Sequence, residues 1–151
     1  MSHRIVMAIL SLCLSTFLAT SDPKLASAST KGGCHAREIS RTLHELEKSA
    51  PSGVRGEKAG DLAVHLLRTG NACVTAGDIK SLIRLLNDQD DAMRYWSAVM
   101  LGNIGPRARS AIPVLKADLA ERPCEGLGIN SAQAVRYALR QFGEHPLEAT
   151  C

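Results

Sequence analysis

Aromatic residues are scarce in this chain. One tryptophan, two tyrosines and two phenylalanines make up 3% of its 151 residues. Large aromatic side chains usually contribute much of the buried surface in a globular core. Alanine and leucine recur along this sequence instead, as is typical of thin helices that pack through small contacts. The composition therefore favours a stack of helices over a core built around large rings.

Motifs for metal binding and nucleophilic catalysis are also missing. The sequence contains no C-x-x-C and no G-x-S-x-G, and no second histidine completes a zinc-protease motif after His44 and Glu45. We interpret His35, His44, His65 and His145 as surface or packing residues. We accordingly predict no catalytic residue, no metal site and no cofactor, although this leaves enzymatic activity unsupported and does not exclude it.

The chain has no strong excess of charge of one sign. Its formal net charge of +3 is too small to predict a nucleic-acid partner. Gly53, Gly56 and Gly60, with Arg55 and Lys58 between them, could hold a phosphate group. Phosphate-binding loops, however, follow a strand and carry G-K-[ST], and neither feature occurs here. A flexible loop between helices is the favoured interpretation of this stretch.

The most hydrophobic segment lies near the N-terminus. The apolar run 5–19 is shorter than the roughly 20 residues that a membrane-spanning helix needs. It is followed by polar residues and by Ala-Ser-Ala at 26–28, a pattern that signal peptidase recognises. We predict a cleaved signal peptide over 1–28, and a mature domain over 29–151 that is periplasmic or secreted and binds no membrane. An uncleaved anchor is the alternative.

Four cysteines lie in the predicted mature chain: Cys34, Cys73, Cys124 and Cys151. In an oxidising compartment they predict two disulfides, which three pairings could supply. Cys34 precedes the first predicted helix and Cys73 follows the second, so both lie at the same end of an antiparallel pair. The pairs Cys34 with Cys73 and Cys124 with Cys151 are therefore favoured. A metal site is the alternative, although the cysteines are far apart in sequence.

Apolar spacing predicts six helices that fall into three pairs. They span about 36–49, 57–69, 79–86, 91–104, 107–121 and 130–143. The carboxylate of Asp90 is expected to bind the free amides of the first turn that follows it. Gly105 is expected to adopt the left-handed backbone that ends this helix. Pro113 must either begin a helix or kink one.

The central stretch resembles the bacterial form of the helical HEAT repeat. That pattern runs D-x-D-x-x-V-R, then L-G-x-I-G, then A-x-x-A-[IV]-P-x-L. The matching positions are Asp88, Asp90, Arg94, Leu101, Gly102, Ile104, Gly105, Ala108, Ala111, Ile112, Pro113 and Leu115. Met93, Ser97 and Met100 depart from the pattern. The resemblance covers about one repeat. When the sequence is aligned with itself at an offset of 38 residues, Leu139 falls on Leu101, which predicts a more divergent last repeat.

The resemblance implies an all-α fold, a short right-handed solenoid of about three antiparallel helix pairs. It further implies a ladder of Asp and Arg side chains, in which Arg94 reaches the acidic turn of its own or a neighbouring repeat, Asp88 and Asp90 included. In this family the proline equivalent to Pro113 kinks the outer helix. Terminal repeats are commonly atypical because they cap an exposed face, as we expect of the first and last pairs here.

HEAT repeats are scaffolds that bind other proteins, and their second helices line a concave face. The resemblance therefore implies a non-catalytic protein-binding scaffold, which the predicted signal peptide would direct out of the cytoplasm. The expected binding residues are Tyr95, Trp96, Val99, Asn103, Gln133, Tyr137 and Gln141, with His65 and Arg68 added by the first pair. Tyrosine and tryptophan are favoured at interface hot spots. We expect Tyr95 to be exposed, whereas Trp96 could equally be the largest core residue.

Two other classes of function stay open at this point. Small, exported, disulfide-bonded helical proteins also suit an inhibitor or immunity protein that neutralises a periplasmic toxin or hydrolase. An enzyme subunit or lyase-like chaperone would need a ligand-sized pocket on which titratable residues converge, and the sequence shows none. The partner's identity is not encoded in any of these motifs.

Overall fold

Most of the described residues lie in helices. The structure is a computed structural model that describes residues 35–49, 53–123 and 130–146, all within one compact unit, Cys34–Cys151. The elements are α1 (Ala36–Lys48), α2 (Gly53–Thr69), α3 (Ala76–Leu85), α4 (Asp91–Ile104), a 3-10 helix (Gly105–Ala111), α5 (Ile112–Glu121) and α6 (Ser131–Gln141). No strand occurs among these residues, so the predicted all-α class is confirmed. The predicted signal peptide lies outside the described residues.

Helix α2 begins at Gly53, earlier than the predicted start at 57, so the predicted flexible loop is wrong. The glycines of this stretch serve close packing against α4. A Cβ at Gly56 would lie 3.0 Å from the Cβ of Ala92, and one at Gly60 would lie 3.1 Å from the ring of Trp96. Burial against α4 thus compensates for the low helix propensity of glycine. Apolar spacing could not detect this, because the contact comes from a distant segment.

A capping box starts α3 at Ala76, ahead of the predicted start at Ile79. The Thr75 hydroxyl accepts from the Asp78 amide at 3.2 Å, and the Asp78 carboxylate accepts from the Thr75 amide at 2.7 Å. Asp78 is only 3% exposed and also accepts a 2.6 Å hydrogen bond from the hydroxyl of Ser40 on α1. The cap therefore joins α1 to α3 as well as beginning α3.

The ends of α4 follow the sequence signals. Oδ1 of Asp90 accepts from the amide of Ala92 at 3.0 Å, as predicted for a cap. Gly105 has the predicted positive φ of 69°, with ψ at −141°. The chain then continues as a 3-10 helix instead of the predicted α-helix from 107. Its non-helical backbone falls at Ala108, whereas Pro113 lies in the first turn of α5.

Each helix packs against its neighbour in the chain within the pairs α1–α2, α3–α4 and α5–α6. Contacts also run between alternate helices: α1 against α3, α2 against α4, and α4 against α6. Helix α4 therefore lies at the centre, in contact with α2, α3 and α6. Its Leu101 is fully buried, and so are aliphatic side chains of the other helices: Leu43, Leu82, Leu115, Val135 and Leu139.

Cys73, in the turn after α2, is half-buried and disulfide-bonded. Cys34, Cys124 and Cys151 lie outside the described residues. The pairing of the cysteines therefore stays a prediction.

Candidate functional site

The predicted binding residues lie on the two helices that pack most extensively against each other, α4 and α6. Helix α4 carries Tyr95, Trp96, Val99 and Asn103, all half-buried. Helix α6 carries the half-buried Tyr137 between the exposed Gln133 and Gln141. We call Tyr95, Val99, Asn103, Gln133, Tyr137 and Gln141 together the α4–α6 surface.

Asn103 and Tyr137 are joined across the two helices. The Tyr137 hydroxyl donates to Oδ1 of Asn103 at 2.5 Å, and the Asn71 side chain donates to the Asn103 carbonyl at 2.6 Å. Asn103 is thereby held from both sides, by α6 and by the turn after α2. Sequence reasoning missed Asn71, because a polar residue in a turn carries no periodic signal.

Gly102 allows Tyr137 to lie flat against α4. A Cβ at Gly102 would be 2.8 Å from Cε1 of Tyr137 and 3.0 Å from the Cα of Ala138. Such distances are shorter than a side-chain carbon tolerates, so only glycine fits without movement of α6. The family motif matched Gly102 by position, and the close approach of α6 is the physical reason for a glycine there.

Tyr95 and Trp96 form an edge-to-face pair, with ring centroids 4.9 Å apart and planes at 81°. Both rings pack against the core while staying partly exposed. Trp96 also covers Gly60 of α2, so it contributes to helix packing and to the surface at once. Together with Asp91 and Ala92, the two rings line a cleft of about 230 Å³.

Arg68 and His65 of α2, which were also expected to bind a partner, differ in their surroundings. Arg68 is exposed near the end of α2. His65 is half-buried and faces α1, where its ring lies 6.2 Å from that of His35 in an edge-on arrangement. A cleft of about 340 Å³ between α1 and α2 is lined by His65, Asp61 and Glu38, among others.

The second helix of each pair contains one buried arginine. Of these three arginines, only Arg94 was predicted to have a role. Arg55 in α2 is 5% exposed, Arg94 in α4 is 7% exposed and Arg136 in α6 is 8% exposed. Buried arginines require partners for their guanidinium groups, since an unpaired charge away from water is costly. Their recurrence could have been noticed in the sequence, but their burial could not.

Arg55 links the first pair to the turn before α4. Its Nε donates to the Leu46 carbonyl at 2.8 Å, while Nη1 and Nη2 donate to the two carboxylate oxygens of Asp88 at 2.9 and 2.5 Å. Burial would raise the pKa of Asp88, but the hydrogen bonds from Arg55 and from the Asp90 amide outweigh it and hold that pKa below its ordinary value.

Arg94 binds the same turn from the other side. It donates to the carbonyls of Asp88 and Gln89 at 2.9 and 3.1 Å and to the Asp91 carboxylate at 2.9 Å. The contact with the acidic turn of its own pair agrees with the expected ladder. Arg55, which sequence reasoning had placed in a flexible loop, binds the carboxylate of Asp88 in the same turn.

Replacing Tyr137 with phenylalanine is expected to lower the free energy of unfolding by about 0.5 to 1.5 kcal/mol, the usual value of one hydrogen bond. The ring stays in place, while Asn103 loses its partner on α6. Urea denaturation followed by circular dichroism measures the change. Gln133→Ala, one turn away on the exposed face of α6, is the control and should leave the midpoint nearly unchanged. Equal stability of Tyr137→Phe and the parent would show that the bond contributes nothing.

Among residues 35–49, 53–123 and 130–146, no group of three or more His, Cys, Asp or Glu side chains is placed to hold a metal ion. Within the same ranges, no helix combines the length and hydrophobicity that crossing a membrane requires.

Comparison of the chain with protein-family models, with curated proteins and with solved structures finds no match. The resemblance to HEAT repeats therefore rests on the residues of the central stretch.

Proposed function

We propose that this chain is an exported HEAT-like repeat protein, and that it binds another protein as a non-catalytic scaffold. In this proposal the three helix pairs are antiparallel and stack as a short right-handed solenoid. The pattern of packing supports this arrangement, because first helices contact first helices (α1 with α3) and second helices contact second helices (α2 with α4, α4 with α6). Stacked repeats bury their faces against their neighbours in this way.

The partner would bind to the α4–α6 surface. The observation that carries this step is the 2.5 Å hydrogen bond between Tyr137 and Asn103, which fixes two half-exposed side chains on adjacent second helices. Side chains that are already ordered lose less entropy when a partner binds, so they contribute more of their contact energy to affinity. The aromatic ring of Tyr95 adds a large contact area on the same helix.

Site-specific photo-crosslinking in the native cells tests the proposal. A photoreactive residue in place of Gln133, which is exposed on α6, is expected to crosslink one defined protein. The matched control carries the same photoreactive residue in place of Lys80, which is exposed on α3, the first helix of the second pair. The Lys80 variant should not capture that protein. Mass spectrometry of the crosslinked band identifies the partner.

A second substitution links the capture to the surface. Tyr95→Ser in the Gln133 variant should remove most of the crosslinked product, because it deletes the main aromatic contact. Circular dichroism should show unchanged helical content. Absence of any crosslink from Gln133, equal capture from Lys80, or full capture with Tyr95→Ser would each contradict binding at the α4–α6 surface.

A further inference from the structure

A separate groove lies between α5 and α6, at the last helix pair. It encloses about 370 Å³, a volume within the range of small-molecule sites. Its apolar walls come from Leu119, Leu139, Pro123 and Pro146, and Ala120 lies at its edge. The groove involves none of the residues of the α4–α6 surface.

The same groove contains the third buried arginine, Arg136. Two of the three buried arginines have carboxylate partners: Arg55 binds Asp88, and Arg94 binds Asp91. Arg136 differs, because its Nη2 donates to the Pro123 carbonyl at 2.7 Å and no carboxylate among the described residues pairs with it. Its Nε also has no hydrogen-bond partner within these ranges. A guanidinium that is only 8% exposed and has no counter-ion there is an incomplete site.

The charges around the groove favour an anion. Lys116 lies at its rim and pairs with Glu144, the one carboxylate among the described lining residues, at 2.6 Å. The positive charge of Lys116 thus neutralises Glu144, and among the described lining residues no carboxylate is left to balance the charge of Arg136. Carboxylates bind guanidinium groups through strong, charge-assisted hydrogen bonds. An apolar wall beside an arginine that pairs with no described carboxylate matches a ligand with an acidic head and a hydrophobic tail.

We propose that this groove binds a small amphipathic carboxylate, with its carboxylate on Arg136 and its hydrocarbon chain along Leu119 and Leu139. The carboxylate of the ligand pairs with Arg136 as the carboxylate of Asp88 pairs with Arg55. Its apolar tail gains affinity by leaving water, and its head makes binding selective for an acid over the uncharged analogue.

Titration of the full-length protein with sodium octanoate, followed by two-dimensional NMR of the backbone amides, tests this assignment. Saturable shifts are expected for Ala120 and Leu139 at the groove and not for Leu43 on α1. Octanamide, which has the same chain without the charge, should bind about tenfold more weakly or worse, because a hydrogen bond to a charged group is worth that factor. Similar affinities for the acid and the amide would overturn the proposal.

Two variants locate the site. Arg136→Gln should weaken octanoate binding about tenfold or more, whereas Arg37→Gln, an exposed arginine on α1, should leave it unchanged. Because Arg136 is buried and its replacement could unfold the protein, Ala120→Trp provides a second test. Ala120 is exposed at the groove edge, so an indole there should block the groove and abolish octanoate binding without disturbing the core. The assignment would be overturned if Ala120→Trp or a folded Arg136→Gln variant bound octanoate with the affinity of the parent. It would also be overturned if octanoate caused no saturable shift in the parent protein.

Discussion

Replacing Arg55 with glutamine is expected to lower the free energy of unfolding by about 3 to 5 kcal/mol, because removal of one partner from a buried ion pair leaves the other uncompensated. Arg55 is 5% exposed, and it bridges the Leu46 carbonyl on α1 and the Asp88 carboxylate before α4. Its loss therefore breaks three hydrogen bonds: one to α1 within the first helix pair and two to Asp88, which connect the first pair to the second. Urea denaturation followed by circular dichroism measures the effect.

Lys58→Gln is the matched control for Arg55→Gln. Lys58 lies one turn further along α2 and pairs with Glu45 at 2.6 Å, but both side chains are about half exposed. Solvent screens such a pair, so the unfolding midpoint of this variant should stay close to that of the parent. A comparable loss of stability in the two variants would mean that burial is not what makes the Arg55 pair strong.

The contribution of the Arg55–Asp88 pair should also depend on pH. The pKa of Asp88 in the folded protein lies below its ordinary value of 3.8. A carboxylate with a depressed pKa stabilises the folded state fully above the unfolded pKa, and this stability is lost as the pH falls through the folded pKa. The stability difference between the parent and Arg55→Gln should therefore be constant near neutral pH and shrink below about pH 4. A difference that grows on acidification would contradict the direction of this shift.

Gly102→Ala is expected to lower the free energy of unfolding by about 1 to 3 kcal/mol, the usual cost of overpacking. The added methyl group would lie 2.8 Å from the Tyr137 ring and 3.0 Å from the Cα of Ala138. The ring can rotate away, but the backbone of α6 cannot yield without moving the helix. Thermal and urea denaturation measure the loss.

The control for Gly102→Ala is the same substitution at Gly77. Gly77 also lies inside a helix, but a Cβ there would have only the Thr75 hydroxyl nearby, at an ordinary contact distance of 3.4 Å. Alanine is the better helix former, so Gly77→Ala should stabilise the protein by about 0.5 to 1 kcal/mol. Stabilisation by both substitutions would show that α4 and α6 are not as close as the structure places them.

The sequence predicted the helices best where local signals agreed with the fold. Helix α4 occupies the predicted range, because Asp90 caps its start and Gly105 ends it with a positive φ. Prediction was poorer for α2, since Arg55, Gly56 and Gly60 look like a loop when only neighbours in the sequence are considered. Their helical state depends on burial against α4, which is a non-local effect.

The candidate sites were predictable to different degrees. The α4–α6 surface was assembled by aligning two repeats, and the structure does bring Asn103 and Tyr137 into contact. The groove beside Arg136 was not predicted. When the last repeat is aligned with the central one at an offset of 38 residues, Val135-Arg136 lies four positions after the place of the V-R pair in the repeat pattern, so Arg136 was assigned no role.

The amino-acid sequence by itself determined that the chain is helical and where several helices begin and end, because caps, glycines and apolar spacing act over one or two turns. Only the tertiary structure decided which glycines allow helices to touch and which carboxylate each buried arginine meets. Asp88 and Arg55 are separated by 33 residues along the chain, and no local rule relates them. Their pairing follows from how α2 and α4 pack. Arg136 instead lies beside the groove between α5 and α6, where no described carboxylate pairs with it.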